Sequence, residues 1–156
     1  QETSIYEIQY STDSGGDGDC YNSPFLYESV TVTGTVSAVK PGTYPNFYIE
    51  DMAYDQWAGI YVYDSNIDPM VGDNITLTAE VDEFYGVTQL IDVTSYNINA
   101  SGSLVNISYL PTGTLGTTCS DIGEAYEGML VSFSGVTIES VNEFDSWFSR
   151  ISRISF

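Results

Sequence analysis

The sequence predicts an all-β fold, either a small barrel or a sandwich, and two observations support this prediction. Short segments along most of the chain alternate apolar and polar side chains. Turn-forming residues separate these segments, and almost no segment repeats its apolar residues with a helical period. With 156 residues, 42% of them hydrophobic, the chain is long enough for one domain with a core, or for one domain and a fragment.

The same alternation predicts each strand in turn. The first is SIYEIQY, residues 4–10, and the second is SVTVTGTVSAV, residues 29–39, where Gly34 marks a bulge or a sharp bend. Further strands are expected over 46–51, 58–64, 72–84 and 86–98. The last two form a hairpin that turns near Tyr85 and Gly86. Strands over 103–110 and 129–141 follow, with a loop between them.

A weak internal repeat divides the chain into two parts. Residues 23–36 align with residues 124–137 without a gap, and Gly34 then falls on Gly135. The second copy has few residues after it. We therefore predict one β domain over 1–102 and an incomplete second β module over 103–156. The final strands need further partners, because a two-stranded ribbon is not stable alone.

Several motifs within residues 4–100 resemble a known group of modules. They are VTVTG, NFYIED, GIYVY, the VGD turn and FYGVTQL. They resemble OB-fold-like modules attached to secreted bacterial nucleases of the endonuclease/exonuclease/phosphatase superfamily and to other multidomain cell-surface proteins. The resemblance implies an OB-fold-like, Greek-key barrel. It implies no catalytic residues, because the nuclease chemistry of that family lies in a separate domain.

The charge of the chain reflects a scarcity of cations. Three Lys and Arg stand against 22 Asp and Glu, for a net charge of −19. Such a surface repels phosphates, so nucleic acid is not expected as a partner. The chain has no His, which removes Ser-His-Asp and Cys-His catalysis, and we expect no enzymatic activity. No apolar run is long enough to span a membrane.

The two cysteines, Cys20 and Cys119, are predicted to form a disulfide, the alternative being two free thiols. The disulfide, the sequons and a start at Gln1 that reads as a processed chain together favour a secreted, extracellular or cell-surface protein. Candidate N-glycosylation sites, which would carry covalent glycans, are Asn74, Asn99 and Asn106. A sequence rich in Ser, Thr and Asn also produces sequons by chance.

The loop DSGGDGDC, residues 13–20, holds candidate metal ligands. Asp13, Asp17 and Asp19 offer the hard oxygen atoms that calcium prefers, and the alternative is a solvated loop without EF-hand spacing. No other cofactor is expected. The Tyr-rich segments YIED and IYVYD offer aromatic platforms for glycans, or simply half-buried packing.

The incomplete second module leads to a functional hypothesis. We predict a non-catalytic structural protein that assembles head to tail, as a homo-oligomeric filament, into an extracellular glycosylated fibril or surface layer through strand complementation between subunits. The residues expected at the assembly contacts lie near both ends of the chain: Ile5, Tyr6, Ile8, Trp147, Phe148, Ile151 and Ile154. The alternative is an accessory module of a larger secreted hydrolase or nuclease that binds glycan or nucleic acid.

Overall fold

The main body of the protein is a closed five-stranded barrel. The computed structural model describes residues 2–15, 20–40, 46–116, 119–140 and 153–155, without the side chains of 137–140 and 153–155. The barrel strands are β1 (Ser29–Lys40), β2 (Asn46–Glu50), β3 (Gly59–Val62), β4 (Asn74–Glu83) and β5 (Thr88–Ala100). Around the barrel they follow the order β1–β2–β3–β5–β4. The all-β prediction is confirmed. Of the two predicted architectures, a barrel and a sandwich, the structure has the barrel.

Alternation along the strands fills the barrel with apolar side chains. In β4, Ile75, Leu77, Ala79 and Val81 are buried, and the residues between them are more exposed. Strand β1 is long enough to pair with β4 through its first half and with β2 through its second half. A bulge between Val36 and Ala38 accommodates this change of partner.

Gly34 was predicted to mark the bulge, but the bulge lies just beyond it. The glycine serves close packing instead. A Cβ atom at Gly34 would lie 3.1 Å from Ile49 Cβ and 3.1 Å from Ile5 Cδ1. A side chain at this position would therefore require Ile49 and Ile5 to shift by a few tenths of an ångström.

The barrel closes through one antiparallel hairpin and one short parallel seam. Strands β4 and β5 are joined by the predicted turn, where Tyr85 and Gly86 have φ angles of 53° and 74°. The seam pairs β3 with β5 in parallel, at Tyr61 with Gln89 and at Val62 with Leu90. The hairpin prediction is confirmed.

The predicted strand over residues 4–10 is wrong, because this segment forms a short helix, α1 (Ile5–Gln9). Ser4 caps the helix by accepting a hydrogen bond from the Glu7 amide, and the Glu7 carboxylate accepts one from the Ser4 amide. Ile5 and Ile8 are fully buried in the barrel core. Ile5 and Ile8 are therefore core residues, and this segment is not a strand available for assembly.

The second half of the chain contains short elements. Strand β6 (Ser108–Tyr109) pairs in parallel with β7 (Val131–Ser132), α2 (Asp121–Glu124) lies between them, and β8 (Thr137–Ser140) pairs antiparallel with β9 (Arg153–Ser155). The predicted strand at 103–110 is thus much shorter, and the one at 129–141 divides into two. The incomplete second module remains a prediction.

A disulfide joins Cys20 to Cys119, as predicted, with the two Cα atoms 5.2 Å apart. It connects the loop before the barrel to the segment that leads into α2. The helices among the described residues are four and five residues long, and neither could reach across a bilayer.

Candidate ligand-binding surface

Four aromatic side chains form a continuous row on the surface of the barrel, which we call the aromatic row: Tyr54, Tyr6, Tyr10 and Trp57. Tyr6 is stacked between Tyr54 and Tyr10, with ring centroids 4.8 and 5.2 Å away, and Trp57 meets Tyr10 edge-on at 5.6 Å. Tyr10 and Tyr54 are exposed, and Tyr6 and Trp57 are half-buried. Ring faces and edges of this kind bind flat apolar surfaces of ligands.

Two elements hold the row in place. Tyr6 and Tyr10 are four residues apart, so one turn of α1 places them on the same side of the helix. Tyr54 and Trp57 come from the loop between β2 and β3. That loop is fixed by hydrogen bonds from the Asp51 amide to the Ala58 carbonyl, at 2.8 Å, and from the Trp57 amide to the Ala125 carbonyl, at 2.7 Å. Gln9 also donates a 2.6 Å bond to the Gly59 carbonyl, which ties α1 to β3.

An open cleft of about 350 Å³ uses the same helix and the same loop. Its lining consists of carboxylates and hydroxyls: Glu2, Thr3, Ser4, Glu7, Thr33 and Asp51. This described lining contains neither Lys nor Arg. The cleft therefore presents acceptors to a ligand that donates hydrogen bonds, and it offers no cation to an anionic ligand.

Glu7 is the carboxylate of the cleft with the most hydrogen bonds. Its Oε2 atom accepts hydrogen bonds from the Ser4 amide at 2.9 Å, from Thr3 Oγ1 at 2.8 Å and from Ser4 Oγ at 2.9 Å. These bonds lower the pKa of Glu7, with the Ser4 amide as the main cause. Glu7 is thus held in the ionised form, which accepts hydrogen bonds and cannot donate them.

A second aromatic pair lies on the outer face of β2 and β3. Tyr48 and Tyr61 are cross-strand partners with ring centroids 4.9 Å apart. Burial raises the pKa of both side chains, and the nearby Glu127 adds to the effect at Tyr48. Strands 2 and 3 form the surface on which OB folds bind oligonucleotides and oligosaccharides.

Residues 125–130, which we call the strap, lie across this region of the barrel. Besides the Trp57 bond to Ala125, Gln56 Nε2 donates to Tyr126 Oη at 3.2 Å, and the Leu130 amide donates to Glu50 Oε1 at 2.7 Å. The Tyr48–Tyr61 pair is half-buried, so it is a less accessible platform than the aromatic row.

The strap brings several acidic groups together. Burial raises the pKa of Glu127 to about 8, although the Thr88 amide donates a 2.9 Å bond to Glu127 Oε1. Burial, followed by the charge of Glu83, raises the pKa of Glu124 to about 7. Burial also raises the pKa of Glu50, against the lowering effect of the Leu130 amide.

Of the three predicted calcium ligands, only Asp13 lies within the described residues. Asp13 is exposed and accepts a 3.0 Å bond from the Gly15 amide, while Asp17 and Asp19 lie outside the described residues. Among the residues that are described, no group of three or more acidic or Cys side chains is arranged to hold a metal ion. Calcium at this loop remains a prediction.

The predicted glycosylation sites differ in their surroundings. Asn106 is exposed. Asn99 Nδ2 donates to Asn74 Oδ1 and to Thr76 Oγ1, both at 2.9 Å. The side chains of two sequons are therefore hydrogen-bonded to each other between β4 and β5. Of the predicted assembly residues, Tyr6 belongs to the aromatic row. Trp147, Phe148 and Ile151 lie outside the described residues, and Ile154 is described only as part of the backbone of β9.

The aromatic row was missed because Tyr6 and Tyr10 were placed on a strand. A signal was present, since Ser4 and Glu7 have the spacing of a helix capping box. The contact between Trp57 and the strap had no such signal, because the two segments are far apart in the sequence.

Comparisons with known proteins find similarity to solved structures. No protein-family model and no curated protein sequence matches the chain. A structure of a replication protein A heterotrimer bound to single-stranded DNA has 10% sequence identity and a TM-score of 0.44, covering 64% of this chain and 80% of that chain. The mitochondrial single-stranded DNA binding protein Rim1 of S. cerevisiae has 15% identity and a TM-score of 0.38, covering 50% of this chain and 99% of that chain.

These comparisons correct two predictions. The two similar structures named above are of single-stranded DNA binding proteins, and neither is a fibril or a surface layer. The prediction of a self-assembling extracellular fibril built as a head-to-tail filament is therefore wrong, and so is the exclusion of nucleic acid as a partner. The closed five-stranded barrel with the order β1–β2–β3–β5–β4 confirms the predicted OB-fold-like architecture.

Proposed function

We propose that the chain is a non-catalytic OB-fold module that binds a glycan along the aromatic row. The observation that supports this best is a row of four aromatic rings beside a cleft of carboxylates and hydroxyls. The two faces of the Tyr6 ring are covered by Tyr54 and Tyr10, so the apolar faces of sugar rings would lie against the ring edges along the row. Sugar hydroxyls would donate to the cleft carboxylates, of which Glu7 has the most hydrogen bonds to the protein.

Charge is the reason for placing a neutral glycan first. Binding to a phosphate backbone relies on Lys and Arg, whose contacts release counterions. Only three such residues occur in the chain, and none lines the described part of the cleft. A neutral, hydroxyl-rich ligand does not encounter the repulsion that a net charge of −19 exerts on a polyanion.

Single-stranded nucleic acid is the second candidate. The Tyr48–Tyr61 pair on β2 and β3 favours it, because bases stack on aromatic side chains on this face of OB folds. The half-burial of the pair beside the strap and the shortage of cations weigh against tight binding at this face. Such binding would weaken steeply as salt is added, whereas binding of a neutral glycan would not.

Isothermal titration calorimetry tests the proposal with named probes. We would titrate neutral oligosaccharides built from β-linked glucose, xylose, mannose or galactose, and oligothymidylate at low and high salt. For the probe that binds, we expect Tyr6→Ala to weaken the affinity about 5- to 10-fold, because it removes the ring that joins Tyr54 to Tyr10 and an aromatic contact is worth about 1 kcal/mol. Tyr109→Ala, at a tyrosine that is 79% exposed and outside the row, is the matched control.

Each outcome decides between the candidates. An oligosaccharide that binds with an affinity reduced by Tyr6→Ala and Tyr54→Ala supports the glycan proposal. Oligothymidylate binding that is lost with salt and is insensitive to Tyr6→Ala would replace it with the nucleic-acid candidate. Equal effects of Tyr6→Ala and Tyr109→Ala would reject the aromatic row as the site.

The setting proposed for this function is outside the cell. A disulfide is compatible with an oxidising compartment, where such bonds persist. The resemblance to modules of secreted nucleases and cell-surface proteins extends the proposal to a module of a larger secreted protein. Of the three sequons, exposed Asn106 is the one most open to glycosylation.

A further inference from the structure

The strap is bound to the barrel through three amide hydrogen bonds that come from different elements. The Trp57 amide in the β2–β3 loop donates to the Ala125 carbonyl, at 2.7 Å. The Thr88 amide at the start of β5 donates to Glu127 Oε1, at 2.9 Å, and the strap's own Leu130 amide donates to Glu50 Oε1 on β2, at 2.7 Å. The strap therefore connects β2, the β2–β3 loop and β5.

Two glycines let the strap lie directly on strand β3. Gly128 has a φ of 68°, and a Cβ atom built on it would lie 2.8 Å from the carbonyl carbon of Gly59. A Cβ atom on Gly59 would likewise meet the backbone of Gly128 and Met129. Such approaches are closer than carbon atoms tolerate, so any side chain at either position would lift the strap from the barrel.

Glu127, in the middle of the strap, lies near other acidic side chains. The charged or titratable groups that act on it are Glu124 of α2 and Glu83 of β4, and Tyr48 of β2 lies close by. Its described polar partners are the Thr88 amide and the side chain of Gln9 on α1. No Lys or Arg is among these described partners, so an ionised Glu127 has no opposite charge nearby to stabilise it.

We propose that the strap is a proton-controlled cover, which stays docked on β2, β3 and β5 while Glu127 carries its proton and is released when Glu127 ionises. The proton leaves to water, and the carboxylate that remains is part-buried beside Glu124 and Glu83. Release would free the Trp57 amide and uncover the outer face of β2 and β3. This inference goes beyond glycan binding and does not depend on it.

The direction of the pH dependence follows from the raised pKa. In the docked strap the pKa of Glu127 is about 8, compared with 4.5 for a free glutamate. The docked state therefore binds more protons than the released state between these two values. Docking is strongest below about pH 4.5 and weakens as the pH rises towards 8, by up to about tenfold per pH unit for each proton released. Glu124, with a pKa of about 7, shifts the equilibrium in the same direction.

Amide hydrogen exchange, followed by NMR, measures docking directly. The probes are the amides of Trp57, Thr88 and Leu130, and amides within β4 serve as an internal reference. After correction for the intrinsic exchange rate, we expect protection of the three probe amides to fall steeply between about pH 5 and about pH 8. The β4 amides should keep their protection over this range.

Two variants and one control separate proton control from simple loosening. Glu127→Gln keeps an oxygen acceptor for the Thr88 amide but cannot ionise, so protection of the three amides should lose most of its pH dependence. Gly128→Ala should remove protection at every pH. Glu28→Gln, at an exposed acidic residue away from the strap, should behave like the wild type.

Three results would overturn the proposal. Protection of the three amides could stay constant with pH in the wild type, or Glu127→Gln could keep the full pH dependence. If Glu127→Gln fails to fold, the ¹³C shift of the Glu127 carboxyl carbon in the wild type provides the test. A Glu127 midpoint near that of a free glutamate, with the strap still docked, contradicts the mechanism. None of these measurements uses a glycan, so failure here is distinct from failure of the proposed function.

Discussion

A hydroxyl and a carboxylate set the conformation of the first residues of the chain. Ser4 and Glu7 bond reciprocally and start α1, which turns Ile5 and Ile8 towards the core and brings Tyr6 and Tyr10 together on the surface. As a strand, the same sequence would place Tyr6, Ile8 and Tyr10 on one face and Ile5 on the other. The capping pair therefore stabilises the helix that carries two of the four rings of the aromatic row.

Replacing the capping hydroxyl tests this role. We expect Ser4→Ala to lower the free energy of unfolding by about 1 kcal/mol, because the Glu7 amide loses its side-chain acceptor. Chemical denaturation followed by circular dichroism measures the change. Ser14→Ala, at an exposed serine in the following loop, is the control and should have almost no effect. Equal effects of the two substitutions would show that the cap contributes nothing to stability.

At the scale of elements, the β4–β5 hairpin has the clearest link between sequence and geometry. Tyr85 and Gly86 both adopt positive φ angles, the combination found in type I′ turns of two-residue hairpins. A Cβ atom at Gly86 would meet nothing within 4 Å. The glycine is therefore required by the backbone angle alone and not by packing.

This distinction gives a prediction with its own control. Gly86→Ala should destabilise the protein by about 1 kcal/mol, because alanine is strained at a positive φ. Gly86→Asn should cost clearly less, since asparagine tolerates the left-handed region although its side chain is larger. Denaturant midpoints of the two variants provide the measurement. A greater loss of stability with asparagine would indicate steric conflict and would contradict the open space around Gly86.

Most of the barrel could be predicted from the sequence, because its strands alternate buried and exposed residues. Strand β4 shows this alternation, with buried residues at Ile75, Leu77, Ala79 and Val81. Helix α1 could not be recognised from alternation, since five residues are too few to distinguish a helical period from that of a strand. The site also depends on contacts between distant segments, such as Trp57 with Ala125, and no local pattern encodes such a contact.

For the molecule as a whole, the disulfide is the largest single covalent constraint. Cys20 and Cys119 are separated by 99 positions in the sequence, and the loop between them contains all five barrel strands. In the chain-entropy model, closing a loop of this length disfavours the unfolded state by roughly 4–5 kcal/mol. This is a large fraction of the stability of an ordinary domain.

Removing the disulfide should therefore weaken the whole barrel. We expect the double variant Cys20→Ser with Cys119→Ser to lose about 4–5 kcal/mol of unfolding free energy, measured by denaturant titration. The wild type with a reductant should unfold at the same denaturant concentration as the double variant. A double variant as stable as the oxidised wild type would mean that the bond does not restrict the unfolded chain.

The position of the disulfide also determines how the molecule carries mechanical load. Tension applied between a point before Cys20 and a point after Cys119 passes through the sulfur–sulfur bond and bypasses residues 21–118. The barrel strands all lie within the bypassed region, whereas α1 and the strap lie outside it. Stretching the chain would thus pull α1 and the strap from the barrel while leaving the strands paired.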